Sequence, residues 1–247
     1  MLVLVLDSST PAVTAALAEI TDDVRLLASR RTVDARAHGE LLSPQIAACL
    51  AESGATAADL TAVVAGLGPG PFTGLRVGLV TAASVAHALD IPTYGVNSLD
   101  ALGHAAGTDL AGTDLAGTDL ASDDLAGSDA ATGRVLAATD ARRREIYWAV
   151  YAADGRRLTD PAVGAPAAVA EALAGLGVTT AVGDGALRYA ELLGVPVRPE
   201  PRYPDALALA RLAADRVRTA APTEPLTPCY LRRPDAVAAA GRKPVLQ

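Results

Sequence analysis

The sequence predicts an α/β fold in which helices pack on a mixed sheet. Three observations predict it. An apolar N-terminal segment is followed by two more segments with strand character, helices and short apolar strands then alternate, and a second, weaker set of the same elements follows a repetitive stretch. Of the 247 residues, 51% are hydrophobic, which is enough to build a sizeable core.

The first elements are three strands. Met1–Leu6 is apolar and ends at a polar turn that begins with Asp7. Ala12–Ile20 is apolar and partly alternating, and Val24–Thr32 follows it closely. We expect the first two strands to form a hairpin and the third to pair with it.

Two helices and two strands come next. A stripe of apolar residues at helical spacing predicts a helix over His38–Glu52, and Gly54 is its expected end. The valine-rich run Leu60–Ala65 predicts a buried strand, and a second helix is expected over Thr73–Ala88. Ile91–Val96 completes this set as another strand.

A third helix is predicted to begin at Leu99, because Asn97 and Ser98 offer an N-cap. From 107 to 131 a Gly-Thr-Asp-Leu-Ala unit repeats with variations, and a period of five suits neither a helix nor a strand. We predict a flexible acidic loop over 107–131. It divides an N-terminal lobe, 1–106, from a smaller C-terminal lobe, 132–247.

The C-terminal lobe shows a weaker pattern of the same kind. Strands are predicted at Arg134–Ala138, Glu145–Ala152 and Val178–Val182, and helices at Pro166–Leu173, Tyr189–Leu193 and Asp205–Thr219.

Charge and composition exclude several classes of protein. The formal net charge is -7, and the 107–131 repeat holds six aspartates and no basic residue. A globally basic nucleic-acid binder is therefore excluded. No run of 18 or more apolar residues predicts a membrane span, and the N-terminus does not read as a signal peptide. Cys49 and Cys229 lack metal or redox spacing, so a cytoplasmic protein is expected.

The glycine-rich loop that follows the predicted strand Leu60–Ala65 is the strongest local motif. A strand leads through Gly66–Gly74 into a helix N-terminus, and such loops present backbone N–H groups to anions. The alternative is a tight turn whose glycines serve packing, since the Gly-Lys-[Ser/Thr] ending of a Walker loop is absent. Both interpretations stay open. The residues of the nucleotide or anion hypothesis are Asp7, Gly68, Gly70, Thr73 and Gly74.

Other candidate groups give weaker signals. His38, His87 and His104 include no i, i+4 pair, so no zinc helix is predicted. Gly-x-Ser-x-Gly is absent, and no catalytic residue is assigned. Asp140 follows an apolar strand, and the favoured interpretation is that its side chain forms a turn. The basic run Arg142–Arg144 is either a solvated turn or a phosphate contact.

Six segments, taken in order along the chain, resemble the TsaB (YeaZ) family, and the glycine motif carries the most weight. They are Leu4–Thr10, His38–Pro44, Gly66–Gly78, Gly95–Asp100, Asp140–Tyr147 and Pro228–Arg232. The resemblance implies an actin-like, sugar-kinase-like ATPase (ASKHA) fold of two lobes with a reduced second lobe.

The resemblance also implies a function and partners. The family works in forming N6-threonylcarbamoyladenosine at position 37 of tRNAs that read codons starting with A. Its members pair with the related catalytic subunit TsaD, and the ATPase TsaE joins the pair. The chain itself is then expected to need no cofactor, with ATP or ADP bound in the complex, and to meet tRNA indirectly, through the complex; the sequence leaves a direct contact with tRNA open.

In the family the first-lobe helices form the pairing surface, and a lone chain is expected to form a homodimer. The contact residues implied here are His38, Leu41, Leu42, Ile46, Leu75, Leu79, Ala82 and Ala83. The catalytic relative has a His-x-x-x-His metal motif whose positions fall here on Ser98 and Leu102, so a non-catalytic subunit without a metal is expected. Three alternatives stay open: a small ATP-binding kinase-like enzyme, a glycoprotease-like metallopeptidase, which the missing ligands disfavour, and a purely structural dimerisation module.

Overall fold

The computed structural model describes residues 1–114 and 133–232, and these residues form two sheets built on one plan. In each sheet a central strand pairs with an antiparallel hairpin on one side and with a parallel strand on the other. The first sheet has the order β3-β2-β1-β4-β5. Its strands are β1 (Leu2–Asp7), β2 (Ala12–Ile20), β3 (Val24–Val33), β4 (Leu60–Gly66) and β5 (Thr93–Val96).

The second sheet repeats this plan with one strand fewer. Its order is β8-β7-β6-β9, so β6 takes the central place that β1 has in the first sheet. This duplication confirms the predicted two-lobed fold with a reduced second lobe. The strands are β6 (Arg134–Asp140), β7 (Ile146–Tyr151), β8 (Ala162–Gly164) and β9 (Val178–Val182).

Helices cover both faces of each sheet. The helices are α1 (His38–Ser53), α2 (Phe72–Leu89), α3 (Ser98–Asp114), α4 (Pro166–Leu173), α5 (Asp184–Arg188), α6 (Ala190–Leu193) and α7 (Ala206–Arg218). α1 and α2 pack on one face of the first sheet, and α7 packs on the other. α3 lies against the second sheet, whose outer face carries α4, α5 and α6.

The predicted elements match this architecture closely, with three omissions, one of which is the five-residue helix α5. The short strand β8 and a 3-10 turn at Ala57–Asp59 were not predicted, because three residues are too few to show a period. Gly54 ends α1 in the left-handed conformation, with φ 71°, as its position predicts.

One boundary was wrong. The predicted acidic loop starts at 107, but α3 continues through Asp114. Its first half is anchored by buried Leu99 and Leu102, and Gly107 packs so closely that a Cβ there would lie 2.6 Å from the carbonyl oxygen of Ala153. This tertiary packing overrides the low helix propensity of glycine. The rest of the predicted loop lies outside the described residues.

Candidate functional site

The outward face of α2 carries an unusual share of apolar side chains. Phe72 is 46% exposed and Val80 is 63% exposed, and Arg76, Ala83 and His87 lie on the same stripe. The helix is long and apolar enough for a membrane span by length and composition, but its other face packs into the core of the first lobe. An exposed apolar stripe of this kind is a candidate contact surface.

An aromatic and arginine cluster forms the start of this stripe. The rings of Phe72 and Tyr230 stack with centroids 5.4 Å apart. The Arg76 guanidinium lies 3.8 Å above the Phe72 ring, and its Nε donates a hydrogen bond of 2.8 Å to the Tyr230 hydroxyl. We call Phe72, Arg76 and Tyr230 the aromatic clamp. Tyrosine and arginine are enriched where binding energy concentrates in interfaces.

A C-terminal segment, 221–230, brings Tyr230 to α2. It runs beside β5, where the Glu224 amide donates to the Thr93 carbonyl at 2.9 Å, and further on the Cys229 amide donates to the Leu67 carbonyl at 2.8 Å. The predicted C-terminal lobe, 132–247, includes this segment, and that part of the prediction is wrong. The backbone hydrogen bonds of the segment make it part of the first lobe.

A groove separates α2 from this segment and continues the exposed stripe. Its volume is about 780 Å³. Apolar side chains dominate its walls, among them Val80, Ala83, Ile91, Leu226 and Pro228. We call it the α2 groove. The clamp and the groove together form one continuous surface along the helix.

Most of the residues predicted to contact a partner are in the core instead. Leu42, Leu75 and Ala82 are at most 1% exposed, and Leu79 is 5% exposed. They fill the space between the helices and the first sheet. That part of the assignment was wrong, because the apolar stripe that defines a helix in the sequence is the face that packs on its own sheet.

The other predicted contact residues differ in exposure. His38 is buried and lies 2.8 Å from the Thr10 carbonyl through Nε2. Leu41 and Ile46 are half-buried beside the core, and Ala83 alone of the set is exposed on α2. Of the predicted contact residues, only Ala83 therefore lies on the exposed stripe of α2.

Asp7 is buried at the end of β1 and has its carboxylate oxygens occupied. Oδ1 accepts hydrogen bonds from the Ser9 amide at 2.9 Å and the Ser9 hydroxyl at 2.8 Å, and Oδ2 accepts one from the Ser98 hydroxyl at 2.6 Å. Burial raises the pKa of Asp7, and the Ser98 and Ser9 hydrogen bonds oppose that shift. These bonds tie β1 to the first turn of α3.

The glycines of the 66–78 loop serve close packing. A Cβ at Gly70 would collide with the Ser9 backbone, and one at Gly66 would collide with the Asp7 carboxylate. At Gly74 the nearest atoms, on His38 and Ser8, lie 3.3 Å away, which is tight but tolerable. Gly68 has φ +84°, and its amide donates to the Ser98 hydroxyl. The packing interpretation thus accounts for these glycines.

A small cleft lies where this loop meets the second lobe. It has a volume of about 190 Å³ and contains Thr73, Gly74 and Arg142 among its lining residues. Pockets that hold drug-sized ligands usually measure roughly 300–1,000 Å³. The cleft therefore has room for a single anionic group rather than for a whole nucleotide.

Arg142–Arg144 form the tip of the β6–β7 hairpin in an uncommon conformation. Their φ angles are 62°, 54° and 60°, so three consecutive arginines adopt the left-handed region. All three side chains are exposed. We call them the arginine turn. Such backbone strain clusters at functional positions.

The second lobe also brings two aspartates together. Asp140 pairs with Arg188 at 3.1 Å, and Asp184 Oδ1 accepts a hydrogen bond from the Asp140 amide at 3.2 Å. Burial, helped by the charge of Asp140, raises the pKa of Asp184 to about 6. Within 1–114 and 133–232, no group of three or more histidine, cysteine or acidic side chains has the geometry of a metal site.

Known proteins resemble this chain in sequence. The profile of the family described as TsaD, tRNA N6-adenosine threonylcarbamoyltransferase, matches residues 29–115. An uncharacterised protein of Mycobacterium tuberculosis is 45% identical over 235 residues, which cover 95% of this chain and 93% of that protein. The tRNA threonylcarbamoyladenosine biosynthesis protein TsaB of Escherichia coli is 34% identical over 119 residues, or 48% of this chain and 43% of that protein.

A solved structure extends the likeness to the whole fold. YeaZ from Pseudomonas aeruginosa superposes with a TM-score of 0.71 at 27% identity, covering 93% of this chain and 99% of that one. Both lobes and their order along the chain are therefore shared. Together, the motifs, the duplicated sheets and these likenesses show that the chain belongs to the TsaB (YeaZ) family of tRNA threonylcarbamoyladenosine biosynthesis proteins.

Proposed function

We propose that this chain is a non-catalytic accessory subunit in the formation of N6-threonylcarbamoyladenosine at position 37 of tRNA. It pairs with a TsaD-like catalytic subunit, and a TsaE-like ATPase joins them in the cytoplasm. The observation that carries the proposal is the surface formed by the aromatic clamp and the α2 groove. It joins exposed apolar side chains to a tyrosine–arginine pair, the composition of a binding hot spot.

The match of residues 29–115 to the TsaD profile supports the choice of partner. That range contains α1, α2 and α3, so a TsaD protein carries counterparts of these helices. Two related lobes can pair through equivalent faces about a quasi-two-fold axis, as identical subunits do about a true one. The same logic gives a homodimer when the partner is absent.

The neighbourhood of Asp7 supports a role without catalysis. In actin-like ATPases an aspartate after the first strand helps to hold the metal of the nucleotide, as the family resemblance implies. Here Asp7 is 2% exposed and accepts hydrogen bonds from Ser9 and Ser98. The chain then needs no cofactor of its own, and ATP or ADP is used by the complex.

The test is to mix the purified full-length chain with the TsaD-like protein of the same organism and to measure the complex mass by light scattering after size exclusion. We expect a heterodimer that the substitution Val80→Asp abolishes. Leu192→Asp is the matched control, because Leu192 is 55% exposed on α6 in the other lobe. A heterodimer that Val80→Asp leaves intact would contradict the assigned surface.

Catalysis is tested in the same preparation. The chain alone should form no modified nucleoside when it is incubated with tRNA, ATP and a threonylcarbamoyl donor. The chain combined with the TsaD-like and TsaE-like proteins should form it from the same reagents. Turnover by the chain alone would overturn the accessory role.

A further inference from the structure

The arginine turn is a concentrated positive patch on a chain whose net charge is -7. Three consecutive residues in the left-handed region cost about 1–2 kcal/mol each, so the surrounding structure must hold them. The Glu145 amide donates to the Arg142 carbonyl at 3.0 Å, and the Ala141 amide donates to the Glu145 carbonyl at 3.0 Å. The turn is therefore a fixed feature of the hairpin.

The acidic residues that flank the turn are paired with arginines from elsewhere. Asp140 pairs with Arg188 of α5, and Glu145 pairs with Arg232 of the C-terminal segment. Arg142 and Arg144 have no carboxylate partner in the part of the chain that the structure describes. Arg142 and Arg144 thus keep a positive charge that internal ion pairs would otherwise cancel.

A second source of positive potential lies next to the turn. Arg142 shares the small cleft with Thr73 and Gly74, which belong to the first turn of α2. That turn contains no acidic residue and has no capping side chain, so its N–H groups and the helix dipole add to the positive field. The cleft is too small for a whole nucleotide but admits a phosphate group.

We propose that the arginine turn binds the phosphate backbone of tRNA directly. This inference rests on the proposed function, which supplies tRNA as the substrate of the complex. Guanidinium groups match phosphate oxygens with paired hydrogen bonds, and exposed arginines on a rigid turn present several such forks to successive phosphates. Because the contacts are to the backbone, they add affinity and position rather than sequence specificity.

The turn is also well placed beside the proposed pairing surface. Phe72 of the aromatic clamp lines the same small cleft as Arg142. Arg232, which holds the turn through Glu145 and the Ala141 carbonyl, comes two residues after Tyr230. A catalytic subunit seated on α2 and a tRNA held at the turn would therefore be neighbours.

The test measures binding of a labelled tRNA that reads a codon starting with A, by fluorescence anisotropy, from 50 to 300 mM salt. Both the full-length chain and its heterodimer with the TsaD-like protein are used. The variant Arg142→Asn/Arg143→Asn/Arg144→Asn removes the charge, and asparagine tolerates the left-handed backbone. The matched control Arg25→Gln/Arg30→Gln/Arg31→Gln removes the same charge from the outer strand β3.

We expect the turn variant to bind tRNA at least tenfold more weakly at 100 mM salt, and the control to change affinity less than threefold. The slope of log affinity against log salt should fall by about 2–3, the value for three phosphate contacts. Replacing the three arginines with lysine should preserve most of that slope. Equal losses in the turn variant and the control would overturn the proposal.

Two further outcomes would also overturn it. Full displacement of tRNA by millimolar ATP would show a nucleotide site, and loss of heterodimer with unchanged tRNA binding would show that the turn binds an acidic protein surface. The heterodimer mass tests the proposed function separately from this inference. A turn variant that still forms the heterodimer but binds tRNA like the wild type would contradict this inference and leave the proposed function standing.

Discussion

The Ser98 hydroxyl donates a hydrogen bond of 2.6 Å to Oδ2 of Asp7, joining the end of β1 to the first residue of α3. The same hydroxyl accepts a hydrogen bond from the Gly68 amide at 3.1 Å. One side chain therefore connects a buried carboxylate, the glycine loop and the helix that lies against the second sheet. By the family resemblance, Ser98 occupies the first position of the metal motif in the catalytic relative, and here it supports the fold.

We predict that Ser98→Ala lowers the free energy of unfolding by about 1–3 kcal/mol at pH 7, because it leaves a buried carboxylate and a buried amide with one partner fewer. Burial raises the pKa of Asp7 and the Ser98 hydrogen bond lowers it, so the variant should raise that pKa further. The folded state then favours protonated Asp7 more strongly. The loss caused by the substitution should shrink as the pH falls, which urea unfolding at several pH values measures.

The control for this prediction is Ser43→Ala, at an exposed position of α1. A double-mutant cycle with Asp7→Asn gives the coupling between the two side chains. A loss from Ser98→Ala that is the same with and without the Asp7 carboxylate would contradict the role assigned to this hydrogen bond.

Alanine substitutions at two glycines test the effect of close packing separately from the effect of helix propensity. A Cβ at Gly70 would collide with the backbone of Ser9, whereas one at Gly39, in the exposed first turn of α1, would meet nothing within 4 Å. Gly70→Ala should therefore cost about 2–3 kcal/mol of stability, as overpacking does. Gly39→Ala should raise stability by about 0.5 kcal/mol. Thermal melts check both, and a neutral Gly70→Ala would show that the loop is less constrained than its contacts indicate.

The aromatic clamp should contribute strongly to the proposed pairing. Tyr230→Ala removes the ring that stacks on Phe72 and the hydroxyl that accepts from Arg76. We expect at least a tenfold weaker affinity for the TsaD-like protein by calorimetry, since central tyrosines often cost more than 1 kcal/mol when truncated. Tyr189→Ala, which removes another tyrosine beside an arginine, in the second lobe, is the control. Equal effects of the two variants would argue against the clamp.

Most of the fold could be predicted because its elements have strong local patterns. β2, α4 and β9 have the predicted bounds, since apolar periodicity and flanking turns agree there. The end of α3 could not be predicted, because the packing of Gly107 against Ala153 is a contact between segments distant in sequence. The sequence shows a second set of similar elements, but the matching strand order of the two sheets appears only in the strand pairing.

The surface was harder to predict than the fold. Periodicity identifies the face of α2 that carries Leu75 and Leu79, and that face is the core. The signal that was available is the presence of Phe72 and Val80 off that face, which makes α2 apolar on more than one side. Tyr230 gave no such signal, since only the hydrogen bonds of the C-terminal segment bring it to the helix.

Asp184 provides a test of the second lobe that depends on pH. Its pKa is raised from 3.8 to about 6, first by burial and then by the charge of Asp140, while hydrogen bonds from the Asp140 and Gly185 amides oppose the shift. Asp184→Asn keeps an oxygen acceptor for the Asp140 amide and removes the titration.

For a raised pKa the folded state binds the proton more tightly than the unfolded state. The stability that Asp184 contributes is therefore complete below its ordinary pKa near 4, and it is lost as the pH rises through about 6. Relative to Asp184→Asn, the wild-type chain should lose about 2 kcal/mol of unfolding free energy between pH 4 and pH 7. The variant should be the more stable protein at pH 7. Urea unfolding across this range measures the difference, with Asp160→Asn at an exposed position as control, and a difference that stays constant with pH would refute the assigned pKa.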